Sequence, residues 1–171
     1  MIPPAPISSP GSSSGLSSGS PPGAPPTSRP NSVLFACNFN SVRSAMAEGL
    51  AKHMFGDKIY IDSVGVRQGS VDGFAVAVMA ELDIDIAYHE AKTFDDLEDT
   101  SFDLVISLTP EAQHKAVELT RTMAVDLEYW PSLDPTGIDG SREVMLDAFR
   151  QARDDLARKI KARFGDDEVE T

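Results

Sequence analysis

The chain contains one stretch in which a buried strand runs directly into a helix, and it reads Val33-Leu-Phe-Ala-Cys-Asn-Phe-Asn-Ser-Val-Arg-Ser-Ala-Met-Ala-Glu48. The apolar run at 33–36 predicts a short buried strand, and the apolar spacing over 44–55 predicts a helix. Cys37 therefore ends the first strand, and Arg43 follows six residues later, where the helix begins. The residues between them form the strand-to-helix turn of a βα unit.

The same alternation continues through the rest of the chain. Further strands are predicted at 58–63, 102–108 and 123–127, and further helices at 72–82, 109–119 and 142–164, with a helical turn at 94–97 and a loop at 134–140. Strands that alternate with helices indicate βα units around a parallel sheet. We therefore predict an α/β fold, in which a three-layer, doubly wound, four-stranded parallel sheet carries helices on both faces.

The first 32 residues differ in composition from the rest. They hold 9 of the 12 prolines, 4 of the 12 glycines and 10 serines. Proline and glycine oppose regular structure, and the few aliphatic residues present cannot form a core. We predict a disordered tail over 1–32 and one α/β domain over 33–171. The tail either keeps the protein in solution or offers its proline pairs to a partner.

Charge and composition exclude several classes of function. The net charge is −12, and Arg29 is the one charged side chain before residue 33, so the domain carries −12 − 1 = −13. Such a domain lacks the basic surface that nucleic-acid binding requires. The chain has no apolar run of transmembrane length and no secretory signal, so we expect a cytoplasmic protein with no membrane partner. Cys37 is the single cysteine and the three histidines lack ligand spacing, so we expect no disulfide within the chain and no metal.

The turn after the first strand is the candidate site. In parallel sheets, ligands bind at the carboxyl ends of strands, where backbone N–H groups and a helix N-terminus attract anions. Cys37 would then be an accessible thiolate nucleophile, and Arg43 would grip two oxygens of a tetrahedral oxyanion. The phosphate cradle would comprise Asn38, Phe39, Asn40, Ser41, Val42, Arg43 and Ser44. From these residues alone, a buried structural cysteine is an equally good interpretation.

The Cys37-x5-Arg43-Ser44 signature resembles the low-molecular-weight protein tyrosine phosphatases, and equally their relatives, the thioredoxin-coupled arsenate reductases. The resemblance extends over residues 33–164. Its further motifs are Met46-Ala-Glu-Gly49, Asp62-Ser-Val-Gly65, Glu81-Leu-Asp-Ile-Asp85, His89-Glu-Ala-Lys92 and Asp134-Pro135. It implies a low-molecular-weight phosphatase-like fold for the domain at 33–171.

The resemblance also implies roles for single residues. Cys37 would attack phosphorus to form a phosphocysteine, Arg43 would hold the equatorial oxygens, and Asp134 would act as general acid and then as base. Asn40, Ser44, Ser63 and His89 would form a supporting hydrogen-bond network, with Ser44 also donating to the thiolate. The mechanism needs no cofactor. Without the resemblance, Asp134 in its Asp-Pro pair is better interpreted as a turn-forming residue.

The chain departs from the family pattern at three places. Phe39 stands where the loop of the family has glycine, and Val42 replaces the second cysteine of the phosphatase loop. Thr136 and Gly137 follow Asp134-Pro135, where the phosphatases have aromatic residues that flank the substrate ring. Phe39, Tyr129 and Trp130 are the alternatives for such an aromatic wall.

We therefore predict a hydrolase that acts on phosphate monoesters, with a phosphotyrosine protein or a small aryl phosphate as partner. One alternative is an arsenate reductase, which would need an external thiol because the chain lacks the two further cysteines of the thioredoxin-coupled relay. Another is an inactive module that binds oxyanions or phosphoproteins, which the unusual Phe39 suggests. The oligomeric state stays open.

Overall fold

A computed structural model of the protein describes residues 29–97 and 101–165. Most of the predicted disordered tail, residues 1–28, lies outside the described residues. The last residues of that predicted tail contact the domain: Arg29 Nε donates to the carbonyl of Phe164 at 2.9 Å, and the first strand begins at Ser32. No helix among the described residues has the length and apolarity needed to cross a membrane.

Four parallel strands form one sheet. They are β1 (Ser32–Cys37), β2 (Tyr60–Gly65), β3 (Leu104–Ser107) and β4 (Asp126–Tyr129), in the spatial order β2-β1-β3-β4. β1 is central and pairs with β2 on one side and with β3 on the other. At the carboxyl end of β1, Cys37 pairs with Gly65 of β2, and Ala36 pairs with Ser107 of β3. The turn that follows Cys37 therefore begins between the carboxyl ends of β2 and β3.

The helices cover both faces of this sheet. They are α1 (Arg43–Phe55), α2 (Gly73–Ala80), α3 (Pro110–Leu119) and α4 (Arg142–Phe164), with short 3-10 turns at Phe94–Asp96 and Pro135–Gly137. Alternate side chains of β1 point to opposite faces: Phe35 packs with α1, α2 and α4, whereas Leu34 packs with α3. The predicted three-layer α/β fold is confirmed.

Some element boundaries differ from the sequence prediction. β2 and β4 lie two to three residues further along the chain than predicted, because their pairing with β1 and β3 determines which residues enter the sheet. The helix predicted over 72–82 ends at Ala80, and Leu82 beyond it is exposed. Residues 81–83 form a turn after the helix, and Asp83 takes a left-handed conformation with φ 62°.

An ion-pair cluster joins α2 to α4. Glu81 accepts hydrogen bonds from Arg150 at 2.9 Å and from Arg153 at 2.9 Å, and the largely buried Arg153 also donates to the carbonyl of Val78. The hydrogen bonds from Arg150 and then Arg153 lower the pKa of Glu81, although desolvation opposes them.

We expect Glu81→Gln to destabilise the protein at neutral pH but not in acid. A carboxyl whose pKa is lowered on folding contributes stability above its unfolded value of 4.5, and this contribution is lost as the pH falls through the folded value. Urea midpoints of both proteins at pH 7 and at successively lower pH will check this. A difference between the two midpoints that persists unchanged in strong acid would contradict the ion-pair origin.

Candidate active site

The loop between β1 and α1 has all its carbonyl groups turned outward. Segment 66–72 supplies four of the donors: Val66 N to Cys37 O at 3.0 Å, Arg67 N to Asn38 O at 2.8 Å, Gly69 N to Phe39 O at 3.0 Å and Asp72 N to Ser41 O at 3.0 Å. His89 Nε2 lies 3.1 Å from Asn40 O, and Met46 N donates to Val42 O at 2.8 Å. With every carbonyl held from outside, the peptide N–H groups are directed into the loop.

These N–H groups form a candidate anion cradle. Within the described part of the chain, the backbone N–H groups of residues 38–43 donate no hydrogen bond to a protein acceptor. α1 also begins without a side-chain cap, whereas Asp72, Thr109 and Ser141 cap α2, α3 and α4. Free N–H groups at the positive end of a helix dipole form a site that suits phosphate, arsenate or a similar oxyanion.

Cys37 lies at the floor of the cradle. Its Sγ is 2.9 Å from Ser44 Oγ, and the backbone N–H of Ser44 points at the same sulfur from 3.4 Å. The backbone N–H donates to the sulfur, whereas in the contact with Oγ either atom can be the donor. The residue is only 3% exposed, so the accessible thiol expected from the sequence is instead a buried one that the loop surrounds.

The side chain of Asn40 holds the loop in shape. Asn40 is one of two described non-glycine residues with positive φ (56°), a conformation that asparagine tolerates better than most residues. Its amide Nδ2 donates to Ser44 Oγ at 2.8 Å and to Ser63 Oγ at 2.9 Å. Its Oδ1 accepts from the backbone N–H of Lys92 at 3.0 Å, which determines the orientation of the amide.

His89 completes this network. Its Nε2 lies 3.1 Å from both Oδ1 and the carbonyl oxygen of Asn40. Both atoms are acceptors, so Nε2 carries a proton and donates to them. The structure thus brings Asn40, Ser44, Ser63 and His89 together behind Cys37.

Glu48 belongs to the same network, although the sequence assigned it no role. Its Oε1 accepts from Ser63 Oγ and lies 3.7 Å from His89 Nδ1, and its Oε2 is 2.6 Å from Lys52 Nζ. Glu48 stands four residues after Ser44 on α1, so the two side chains share a helix face. The four-residue spacing from Ser44 to Glu48, together with the Met46-Ala-Glu48 match, could have indicated from the sequence that Glu48 contacts the network.

Arg43 and Asp134 meet at the rim. The Arg43 guanidinium donates from Nη1 to the carbonyl of Ser132 at 3.0 Å, and its Nη2 lies 3.8 Å from Asp134 Oδ2. Arg43 is largely buried, whereas the Asp134 side chain is half-exposed. The loop before α4 therefore positions its carboxylate beside the arginine that begins α1.

Thr136 and Arg43 control the ionisation of Asp134. Partial burial raises the pKa of Asp134, but hydrogen bonds from the hydroxyl and the N–H of Thr136, with the charge of Arg43, lower it further than burial raises it. The net pKa lies below the usual value of 3.8, so the carboxyl is ionised in this state. An anion bound at Arg43 opposes that charge and favours protonation of Asp134.

Phe39 does not strain the loop backbone. It is absent from the residues with positive φ, so a side chain at this position does not strain the backbone. The residue is 48% exposed. Two glycines make room for the Phe39 backbone: a Cβ added at Gly65 would lie 2.7 Å from the Phe39 carbonyl carbon, and one at Gly69 would lie 3.0 Å from Phe39 Cβ.

We expect Gly65→Ala to lower the free energy of unfolding by about 1–3 kcal/mol, as overpacked sites do. The new Cβ would be 2.7 Å from the backbone of Arg67, Phe39 and Asn40, and backbone cannot rotate away. Gly73→Ala is the matched control, because nothing lies within 4 Å of its added Cβ. Chemical denaturation of both variants is the measurement, and equal stability of the two would contradict the close approach.

The chain is similar to known phosphatases and arsenate reductases. The sequence model of the family described as "Low molecular weight phosphotyrosine protein phosphatase" matches residues 32–164. Arsenate reductase 2 of Staphylococcus saprophyticus is 32% identical over 130 residues, which cover 76% of this chain and 93% of the relative. A solved structure described as an arsenate reductase in the phosphate binding state is 30% identical, with a TM-score of 0.61 over 77% of this chain and 95% of its own. A low molecular weight protein tyrosine phosphatase from T. tengcongensis is 26% identical, with a TM-score of 0.62 over 76% and 95%.

Proposed function

Because the chain belongs to the low molecular weight phosphotyrosine protein phosphatase family, whose members are cysteine-dependent enzymes, we propose that it hydrolyses phosphate monoesters through a phosphocysteine intermediate. The substrate is a phosphotyrosine protein or a small aryl phosphate. One observation supports the proposal: the Cys37 sulfur accepts from the Ser44 N–H at the start of α1, the same turn of helix that carries Arg43, and Arg43 lies 3.8 Å from Asp134.

In the first step, the Cys37 thiolate attacks phosphorus from the floor of the cradle. A phosphorus–sulfur bond forms as the bond to the ester oxygen breaks, and Asp134 gives its proton to that leaving oxygen. The loop N–H groups and the fork of Arg43 hold the three remaining oxygens, where negative charge is greatest in the transition state.

In the second step, water attacks the phosphocysteine. Asp134, now a carboxylate, takes a proton from the water, and the phosphorus–sulfur bond breaks to release inorganic phosphate. Ser44 lies 2.9 Å from the departing sulfur and stabilises it as a thiolate by donating from Oγ. The enzyme returns to its starting state with no change in oxidation state.

Arsenate reduction is the second candidate. Relatives at about a third identity bear that name, and the residues after Asp134 are not aromatic. Cys37 would displace water from arsenate to form an arsenic–sulfur bond. A small external thiol would then attack Sγ, so that a mixed disulfide forms and arsenite departs with the electron pair. A second external thiol would regenerate Cys37, which has no cysteine partner in this chain.

A purely binding role has less support. The unusual Phe39 suggested it, but Phe39 is exposed and its backbone is not in the positive-φ region. The positions of the sulfur, Arg43 and Asp134 favour an active centre over an anion-binding module.

A pair of assays on the full chain tests the proposal. We expect hydrolysis of a chromogenic aryl phosphate, inhibition by vanadate and complete loss of activity in Cys37→Ser. Arsenate with a small thiol is assayed in parallel. Arsenite production without ester hydrolysis would establish the reductase instead, and vanadate binding without either reaction would establish the binding module.

A further inference from the structure

The orientation of the Asn40 amide depends on two residues outside the loop. Its Oδ1 accepts from the backbone N–H of Lys92 at 3.0 Å. Its Nδ2 donates to Ser63 Oγ at 2.9 Å and to Ser44 Oγ at 2.8 Å. Because Ser44 Oγ accepts from this amide, the hydroxyl proton of Ser44 is left for another acceptor, and Cys37 Sγ lies 2.9 Å away. Lys92 and Ser63 therefore determine, through Asn40, how the Ser44 hydroxyl faces the nucleophile.

Asp62, on β2, binds both of these residues. Its Oδ1 accepts from Lys92 Nζ at 2.7 Å and from the backbone N–H of Ser63 at 2.9 Å. The Asp62 side chain is 15% exposed and that of Lys92 is 34% exposed, so water screens this ion pair less than it screens a surface pair. The carbonyl of Lys92 also accepts from the N–H of Gly65, at 2.8 Å, at the end of the same strand. One carboxylate thus fixes the two groups that orient the Asn40 amide.

The neighbouring carboxylate, Glu48, already has other partners. Glu48 and Lys52 line the same cavity as Asp62 and Lys92. However, Glu48 Oε1 accepts from Ser63 Oγ, and Glu48 Oε2 accepts from Lys52 Nζ at 2.6 Å. Both oxygens of Glu48 are therefore occupied, and the position of Lys92 depends on Asp62.

We propose that Asp62, through its ion pair with Lys92, is a positioning residue for the Cys37 nucleophile. The inference rests on the proposed function. Without the ion pair, the Asn40 amide is held less firmly, and the Ser44 hydroxyl no longer faces the sulfur in one fixed orientation when the phosphorus–sulfur bond breaks. Anion binding does not depend on this ion pair, because segment 66–72 holds the loop carbonyls from the other side.

Kinetics and NMR on the full chain test this role in Asp62→Asn, Lys92→Met, the double variant and Lys92→Arg. We expect each of the first two to lower kcat for an aryl phosphate by roughly three- to tenfold, the effect of one hydrogen bond. The inhibition constant of inorganic phosphate should stay unchanged, and exchange of the Asn40 side-chain amide protons should become faster. The double variant should lose no more than either single one, because both remove the same ion pair, and Lys92→Arg should retain the parent kcat.

Glu128→Gln is the matched control, because it removes a partly buried ion pair with Arg163 on β4, at the opposite edge of the sheet. It should leave kcat and the exchange of Asn40 unchanged. A parent-like kcat in Asp62→Asn, an equal loss in Glu128→Gln, or a loss in Lys92→Arg as large as in Lys92→Met overturns the inference while the phosphatase proposal survives. If the parent hydrolyses no ester, the proposed function fails, and unchanged Asn40 exchange in Asp62→Asn then overturns the positioning role as well.

Discussion

Replacing Arg43 with lysine should reduce kcat/KM for an aryl phosphate by about 10²–10³-fold, the usual loss when one preorganised donor to a transition-state oxyanion is removed. Lysine keeps the positive charge but has no planar fork, so it cannot contact two oxygens at once. It also cannot reproduce the bond from Nη1 to the Ser132 carbonyl while facing Asp134.

Arg121→Lys is the matched control, because it makes the same change at an exposed position that follows α3. Steady-state kinetics of both variants, with circular dichroism to verify folding, gives the comparison. If Arg43→Lys is as active as the parent, the oxyanion is held by other groups, and the assignment of Arg43 is wrong.

Asp134→Asn should affect substrates unequally. A general acid contributes roughly 10²–10⁴-fold, and it matters most when the departing oxygen is strongly basic. We therefore expect phenyl phosphate turnover to fall by about 10²–10⁴-fold, with a much smaller loss for the ester of a strongly acidic phenol. Inhibition by vanadate should persist, because Cys37 and the cradle are untouched.

The pH dependence has a defined sign. Asp134 must be protonated to act as an acid, and its pKa is lowered in this state, so kcat/KM for phenyl phosphate should fall as the pH rises. In Asp134→Asn, kcat/KM for phenyl phosphate should no longer show this decrease with rising pH. Asp139→Asn is the control at the next carboxyl of the same loop. Equal losses for both esters in Asp134→Asn would make Asp134 a turn residue, with Asp139 the next candidate acid.

Local patterns were sufficient to predict much of this protein. The apolar run of β1 and the spacing of Phe149, Leu156 and Ile160 in α4 are signals that nearby residues create by themselves, and Ser141 caps α4 where the pattern begins. α4 accordingly has the predicted bounds. The family match and the positions of Cys37 and Arg43 could also be predicted from a contiguous motif.

Other features depend on contacts between distant parts of the chain. The bounds of β2 and β4 follow from pairing with β1 and β3, and Gly69 packs closely against Phe39, which lies 30 residues earlier in the chain. Glu48 joins the network because α1 brings it to Ser63 and His89, which lie 15 and 41 residues away along the chain.

The sequence by itself determined the order of strands and helices, the nucleophile and its arginine, because each is written within a few consecutive residues. The tertiary structure decided which carbonyls of the loop are held from outside, and hence that its N–H groups face inward. It also decided that the Asp134 carboxylate lies 3.8 Å from the Arg43 guanidinium, close enough for the positive charge of Arg43 to lower the pKa of Asp134. Electrostatic fields and hydrogen bonds act over a few ångströms in space, and only the folded chain determines which residues are that close.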